Sequence, residues 1–571
     1  MSLIRGELGF RRMTRLGSHP ERLKIGVLVA VVLALVGYPL VDLLRYALSG
    51  PGGLDGALRT VDTHQVGIAL LHTLVVSALA SVVATAIGVT MALLVARSDL
   101  PFRRFFGVVW LAPLVIPAYV SGIAWLDAYF RAGLTDEVAH VSAGWLSGPG
   151  GVVLLLALQG APLAYLLVFA ALRSERIGAL EDAARSSGRG PAGTILDVTL
   201  PLIRAAIAGA MLLVFVSSAS DFGIPAILAI PAGFSTVTTL IYSDLSFAGG
   251  AHAIASAGAL SALLGLVAML LLFATNWVGS SSGSAGGATQ SAASSRPLLA
   301  LGRWRTPVAG VCALVVVFTT LLPLVGLFLT SVSPNFQIVL QPGRWVASAY
   351  TAALSGENID ALGRSALLAG TAGIVVAIGG ALVAIVVHRS RRVAGAAATL
   401  LSLPFALPGS VVAIAFLVAW QRWLYGTLLI IFLAYVARFA VVGVRTSAGT
   451  LGALSEDLVR AARASGATPR RAFVDVVWPS LAPGMVTSFT IVFLLALHEL
   501  TMSSLLYGPQ TKTFAVEVLA AEDAGDAALT AALAIVVTAI TMIVLVGVLL
   551  ARPSRRVLAS AAGIEVPEWK V

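Results

Sequence analysis

Two stretches decide how this chain reads: LEDAARSSGRGPAGTILDVTLPLI at 180–203 and SEDLVRAARASGATPRRAFVDVVWPSL at 455–481. In each, a short helix-forming segment rich in Ala and Arg runs into a glycine. A second short amphipathic segment follows, and a proline opens a long apolar run. Gly188 to Pro201 is thirteen residues, and so is Gly466 to Pro479. Alanine faces let a short helix pack closely against a partner, glycine permits a sharp reversal between helices, and proline at a first helical position wastes no donor. One Ala-Ala-x3-Gly means little in a chain so rich in Ala; two at matched spacing mark a duplicated element.

The surroundings of both stretches are apolar. Of 571 residues, 58% are hydrophobic and only 11% charged, and the mean hydropathy is +0.95. Soluble domains carry about 25% charged residues, so the natural solvent here is the bilayer, where a span needs about 20 apolar residues. Twelve runs qualify. They lie near 25–44, 68–96, 105–130, 151–172, 200–228 and 251–276, then near 307–331, 365–388, 394–420, 424–444, 479–506 and 527–551. The first begins after a basic N-terminus and shows no small-residue cleavage motif, so an uncleaved first span is expected. Between the sets lies GSSSGSAGGATQSAASS, which has no apolar face to bury and reads as a flexible linker. The expected organisation is a first half at 1–278, a linker at 279–303 and a second half at 304–571.

The halves repeat. LHTLVVSALASVVATAIGVTMALLVAR (71–97) is similar to GRSALLAGTAGIVVAIGGALVAIVVHR (363–389), and Pro113 and Pro117 match Pro404 and Pro408 at equal spacing. Six spans per half is an even number, so the repeats run parallel, about an axis along the membrane normal. The net charge of +10 would suggest nucleic acid in a soluble protein. Here 29 of the 37 Lys and Arg fall on one side of the span pattern. That bias predicts a cytoplasmic location for both termini, the linker and both quoted loops, and no nucleic-acid partner.

Several chemistries are excluded. Cys312 is the only cysteine, so neither an intrachain disulfide nor a thiolate cluster can form. A P-loop needs Gly-Lys, and none of the lysines (Lys24, Lys512, Lys570) follows a glycine. There is no H-E-x-x-H. The expectation is a transport subunit rather than an enzyme, binding no cofactor and no resident metal of its own.

The quoted loops resemble the EAA loop of binding-protein-dependent ABC permeases. That pattern is E-A-A, three residues, Gly, nine residues, Ile, one residue, Leu-Pro. The first copy here is Asp182, Ala183, Ala184, Gly188, Val198, Leu200 and Pro201; the second is Arg460, Ala461, Ala462, Gly466, Val476, Trp478 and Pro479. Asp in place of Glu keeps the charge, whereas Arg460 and Trp478 depart from the pattern. The resemblance implies an all-α integral membrane protein of the type I importer fold in a bacterial plasma membrane. Each loop would form a coupling helix seated on one of two cytoplasmic ATPase subunits, which would bind the ATP and Mg. An extracytoplasmic solute-binding protein would dock near 47–67, 332–363 and 507–526, and membrane lipid would surround the spans.

The run after each loop ends on an acidic residue: Asp221 in VSSASDFGIPAIL, and Glu499, preceded by His498, in LLALHELTMSSLL. Each lies twenty residues beyond its proline, about 30 Å along a helix. Carboxylates in spans are expensive and mark cavities or partners, so a pair across the pathway is one expectation, and residues that simply sit in outer interfacial water or cap a helix are the other. Asp221-Phe222-Gly223 and Glu499-Leu500 resemble segments of the ferric-iron group of fused permeases, as do TVTTLIYSDL (236–245) and TKTFAVEVLAAEDAGD (511–526). His498 stands where that group often has Lys. A trivalent hard cation prefers oxygen ligands, so iron is the substrate implied. Fused permeases for thiamine and for phosphonates are similar and stay open as alternatives. A twelve-span transporter of the major facilitator type is a further rival, but ARSDLPFRR (96–104) lacks its Gly-rich motif.

Overall fold

A computed structural model describes residues 26–27, 29–49, 53–61, 63–248, 250–280, 298–334, 338–389 and 400–550. The basic N-terminal segment, the Gly/Ser-rich body of the linker and the C-terminal tail lie outside the described residues. In chain order the first half gives α1 (Tyr38–Ser49), α2 (His64–Arg97), α3 (Arg103–Val109), α4 (Ala118–Tyr129), α5 (Pro149–Leu172), α6 (Glu175–Ser186), α7 (Leu200–Ser220), α8 (Gly223–Leu228) and α9 (Gly250–Ser280). The second gives α10 (Arg305–Val316), α11 (Leu322–Val332), α12 (Gly356–Arg389), α13 (Gly409–Leu424), α14 (Leu428–Gly452), α15 (Glu456–Ala464), α16 (Trp478–Leu497), α17 (Thr501–Leu506), α18 (Phe514–Asp523) and α19 (Ala527–Leu550). Among the described residues the fold is all helix and turn, apart from one isolated bridge between Ser98 and Leu299.

Among the described residues ten helices are long and apolar enough to cross a membrane, or twelve when each of two bent pairs is counted as one span. The pairs fall in two of the expected runs and add a bend to each. The runs 105–130 and 394–420 are not straight spans: residues 103–115 and 118–139 meet at 101°, and 400–406 and 409–424 at 116°. Pro117 and Pro408 sit at the breaks. Proline has no N–H for the helix ladder and clashes with the preceding turn, and it drives the residue before it to extended backbone, as at Ile116 (φ −85, ψ 125). The runs 200–228 and 479–506 also differ from expectation: α7 ends at Ser220 and α16 at Leu497, each followed by a separate six-residue helix.

Contacts divide the chain into two compact units, which cut it differently from the sequence repeat. One holds residues 1–53, 363–407 and 411–513; the other holds 54–362, 408–410 and 514–571. Within the first of these, α12 meets α14 at glycines: a Cβ at Gly380 would lie 2.3 Å from the Gly443 carbonyl carbon. Within the second, the repeat-related positions do the same for α2 and α5, where a Cβ at Gly88 would fall 2.7 Å from Ala164 Cβ. Close backbone approach through small residues is how helices associate without a hydrophobic driving force in lipid. The second unit also seats α11 against α4, with a Gly326 Cβ only 2.9 Å from Ala128 Cα.

Candidate coupling loops and transport pathway

Both quoted loops fold as elbows with the same cap. At the end of α6, Gly188 N–H donates to Arg185 O at 3.0 Å and Arg189 N–H to Ala184 O at 3.0 Å. At the end of α15, Gly466 N–H donates to Arg463 O at 3.0 Å and Ala467 N–H to Ala462 O at 3.1 Å. This is the Schellman pattern, which needs a left-handed residue at the reversal. Gly188 (φ +83) and Gly466 (φ +87) supply it. A proline-led turn follows in each, Pro191–Thr194 and Pro469–Ala472, then a five-residue π turn leading into α7 or α16.

The elbows present matched side chains. Asp182, Ala183 and Gly188, and likewise Arg460, Ala461 and Gly466, are exposed; Ala184 and Ala462 are half-buried. Large apolar side chains stand out at repeat-equivalent positions: Leu180 and Leu196 on the first elbow, Leu458 and Val474 on the second. Pro201 and Pro479 occupy the first turns of α7 and α16.

Beneath the surface the elbows differ. Glu181, one residue before the motif acid, is 3% exposed and pairs with Arg97, 4% exposed, at the end of α2. The Arg97 Nε to Glu181 Oε2 distance is 2.9 Å, and Thr199 Oγ1 donates to Glu181 Oε1 at 2.7 Å. Arg97 also donates through Nη2 to Leu172 O, the last residue of α5, at 2.6 Å. One buried cation thus ties α2, α5, α6 and the π turn before α7. The repeat-equivalent positions in the second elbow are Val459 and Val477. Sequence reasoning counted Arg97 only as a topology-setting charge and passed over Glu181. The available signal was a carboxylate on the inward face of a short amphipathic helix.

Asp221 and Glu499 stand at the breaks after α7 and α16 and cap the short helices that follow. Asp221 Oδ1 accepts from Ile224 N at 2.9 Å. Glu499 Oε2 accepts from Met502 N at 2.7 Å and Ser503 N at 3.2 Å. Asp221 O accepts from Thr238 Oγ1, and Ser503 Oγ lies 2.6 Å from Tyr435 OH. His498 closes the last turn of α16, donating from its backbone to Leu494 O. Among the described residues no three His, Cys, Asp or Glu gather as a metal-ligand set.

A second matched pair satisfies the carbonyls freed at the proline breaks. Gln159 Nε2 donates to Ile116 O at 3.2 Å, and Arg438 Nη1 donates to Leu407 O at 3.0 Å. Broken backbone at membrane depth persists where neighbours supply such partners. Arg438 also stands in electrostatic contact with Glu499. Neither Gln159 nor Arg438 was singled out from sequence as a partner of the breaks, because the carbonyl each serves is remote in the chain.

Residues 371–559 match the family model described as the binding-protein-dependent transport system inner membrane component. These residues thus carry a permease domain of this kind, and relatives of the same kind match along most of the chain. It is 25% identical over 507 residues to an Fe(3+)-transport system permease protein of Haemophilus influenzae, covering 86% of this chain and 91% of that one. A ferric transport system permease protein of Actinobacillus pleuropneumoniae is 24% identical over 536 residues, covering 89% and 75%. A putative 2-aminoethylphosphonate transport system permease protein of Salmonella paratyphi A is 28% identical over 228 residues, 39% of this chain and 86% of that one. The permease is a multi-pass membrane transport protein, and the major-facilitator reading is set aside.

Proposed function

We propose that this permease passes ferric iron, delivered by an extracytoplasmic binding protein, through alternating access driven by two cytoplasmic ATPase subunits. The observation that carries the coupling role is the pair of identically capped elbows, each presenting exposed apolar side chains at equivalent positions. An exposed Leu180, Leu196, Leu458 or Val474 on a polar loop makes sense as a knob for a partner's cleft. The rigid Schellman turn and the continuous run from π turn to span give each elbow a lever onto α7 or α16. Iron as cargo is supported by the ferric relatives, which match along most of the chain, and by the oxygen chemistry of Asp221 and Glu499 at equivalent breaks.

The test is uptake of radioactive iron by cells carrying the permease with a co-expressed ATPase and binding protein. Gly188→Asp with Gly466→Asp should abolish both ATPase co-purification and uptake. Undiminished assembly and uptake would remove the elbows from the mechanism. Asp221→Asn with Glu499→Gln should lower uptake while ATPase binding persists; normal iron uptake would remove the carboxylates.

A further inference from the structure

An apolar cavity of about 420 Å³ lies within the second compact unit, inside the roughly 300–1,000 Å³ range of ligand pockets. It is walled by α2, the α3–α4 segment, α5 and α10. Met91, Leu94, Trp110, Pro162, Val311 and Cys312 are among its lining residues. Val311 and Val315 of this wall are also exposed on the outer surface, at 60% and 38%, so the cavity adjoins the face that meets hydrocarbon. Thr90 and Thr319 in the lining spend their hydroxyls on backbone carbonyls of their own helices, whereas Trp110 is 5% exposed and its indole N–H has no hydrogen-bond partner. An unpaired buried donor is costly, and an occupant with an acceptor oxygen would satisfy it.

Arginines flank one end of this cavity. Arg103 and Arg104 open α3, and Arg303 and Arg305 open α10. The two openings are held together: Leu299 N–H donates to Arg97 O at 2.9 Å, and Leu301 N–H to Asp99 Oδ1 at 2.8 Å. Just below, Leu100, Phe106, Trp110 and Cys312 form one buried cluster. Trp110 lies seven residues beyond Arg103, about 10 Å deeper along the helix. Charge at one level, a hydrogen-bond donor about 10 Å below and an apolar cavity below that match the order of groups in a glycerophospholipid.

We propose that this is a binding site for one anionic phospholipid of the leaflet on the arginine side. Its phosphate lies on Arg103, Arg104, Arg303 and Arg305, an ester carbonyl accepts from Trp110 Nε1–H, and an acyl chain fills the cavity. Basic recesses between spans recognise such headgroups. The site is independent of the cargo and of the ATPase.

Native mass spectrometry of the full chain, released from detergent with equimolar dioleoyl phosphatidylglycerol and dioleoyl phosphatidylcholine, tests it. The wild type should retain one phosphatidylglycerol with a preference of roughly tenfold or more, each arginine near the surface being worth about fivefold. Arg103→Gln with Arg305→Gln should remove most of that preference, whereas Arg470→Gln with Arg471→Gln in the other unit should leave it. Trp110→Phe should weaken retention of either lipid roughly threefold, the worth of one hydrogen bond. Glycerol phosphate added in excess should not displace the lipid. Equal retention of the two lipids by the wild type overturns the proposal without any variant. So does a preference untouched at Arg103 and Arg305, or displacement by glycerol phosphate alone.

Discussion

The two elbows share a surface and differ in their foundations. Both close with a left-handed glycine, and both expose a leucine on the helix and an apolar residue on the following π turn. The first is pinned to α2 and α5 by the buried Arg97–Glu181–Thr199 network, while the second has Val459 and Val477 at those positions. What is common to the repeats is therefore what a partner would touch, and what diverged is how each elbow is held to its own spans. A buried ion pair adds little net stability over an apolar pair but fixes geometry, and breaking one side of it is costly. The first elbow thus has a buried polar strut to its own spans, and the second has apolar side chains at the two elbow positions of that strut.

The largest test of that contrast is Glu181→Ala, which strands Arg97 in the interior. It should cost about 3–5 kcal/mol, read as a fall in the unfolding midpoint of the detergent-solubilised permease. Val459→Ala, at the equivalent place, should cost about 1–2 kcal/mol as a partly buried truncation. Arg97→Met with Glu181→Leu removes both charges and should recover most of the stability. Uptake that stays low in this apolar pair while stability returns would show that the network acts by holding the elbow. Equal losses for Glu181→Ala and Val459→Ala would erase the distinction between the elbows.

Next in size are the two side chains that serve the broken spans. Gln159→Leu leaves the Ile116 carbonyl without its donor, a cost of about 1–3 kcal/mol. Arg438→Leu does the same at Leu407 and also leaves Glu499 without its nearby cation, so its effect should be larger. A smaller loss for Arg438→Leu than for Gln159→Leu would place the Glu499 charge outside the reach of Arg438. Smaller again, Gly188→Ala and Gly466→Ala force a Cβ into left-handed backbone, each costing about 1–2 kcal/mol. The surroundings of both glycines are open, with nothing within 4 Å of an added Cβ, so the two losses should match. A difference between them would show that one elbow relaxes where the other cannot.

Much of this was legible in the sequence, and the illegible remainder has physical causes. Hydropathy reports that a run is apolar, so it located the spans, but it carries no direction. The runs through Pro117 and Pro408 therefore give no sign in hydropathy of the bend of more than 100° in each. The proline pairs were visible and used as repeat markers; the bend they impose was the missing step. The Gly-to-Pro spacing found both elbows because cap and turn are local chemistry. Glu181 escaped because its role depends on Arg97, 84 residues away, while the motif drew attention to its exposed neighbour Asp182. The grouping of 514–571 with 54–362 was likewise out of reach, since it depends on which helix faces meet rather than on any periodicity.

The smallest expected effect on stability is also the most specific probe of a partner. Arg460 replaces the acidic residue of the motif in the second elbow; its side chain is 66% exposed and its ion pair with Asp457 spans 3.6 Å. Exposed pairs of this kind are worth about 0–1 kcal/mol, so Arg460→Asp should leave the unfolding midpoint almost unchanged, as should Asp182→Arg. The two substitutions differ in what they offer an ATPase: the first makes the elbows alike in charge, and the combination exchanges them. If each elbow meets an identical ATPase in the same way, Arg460→Asp should strengthen co-purification and the exchange should be neutral. If the permease was built around an asymmetric pair, Arg460→Asp should weaken uptake, and the exchange should fail to restore it because the Arg97–Glu181 strut still marks the first elbow. With the unfolding midpoint unchanged in both variants, any shift in ATPase retention is a statement about the contact itself.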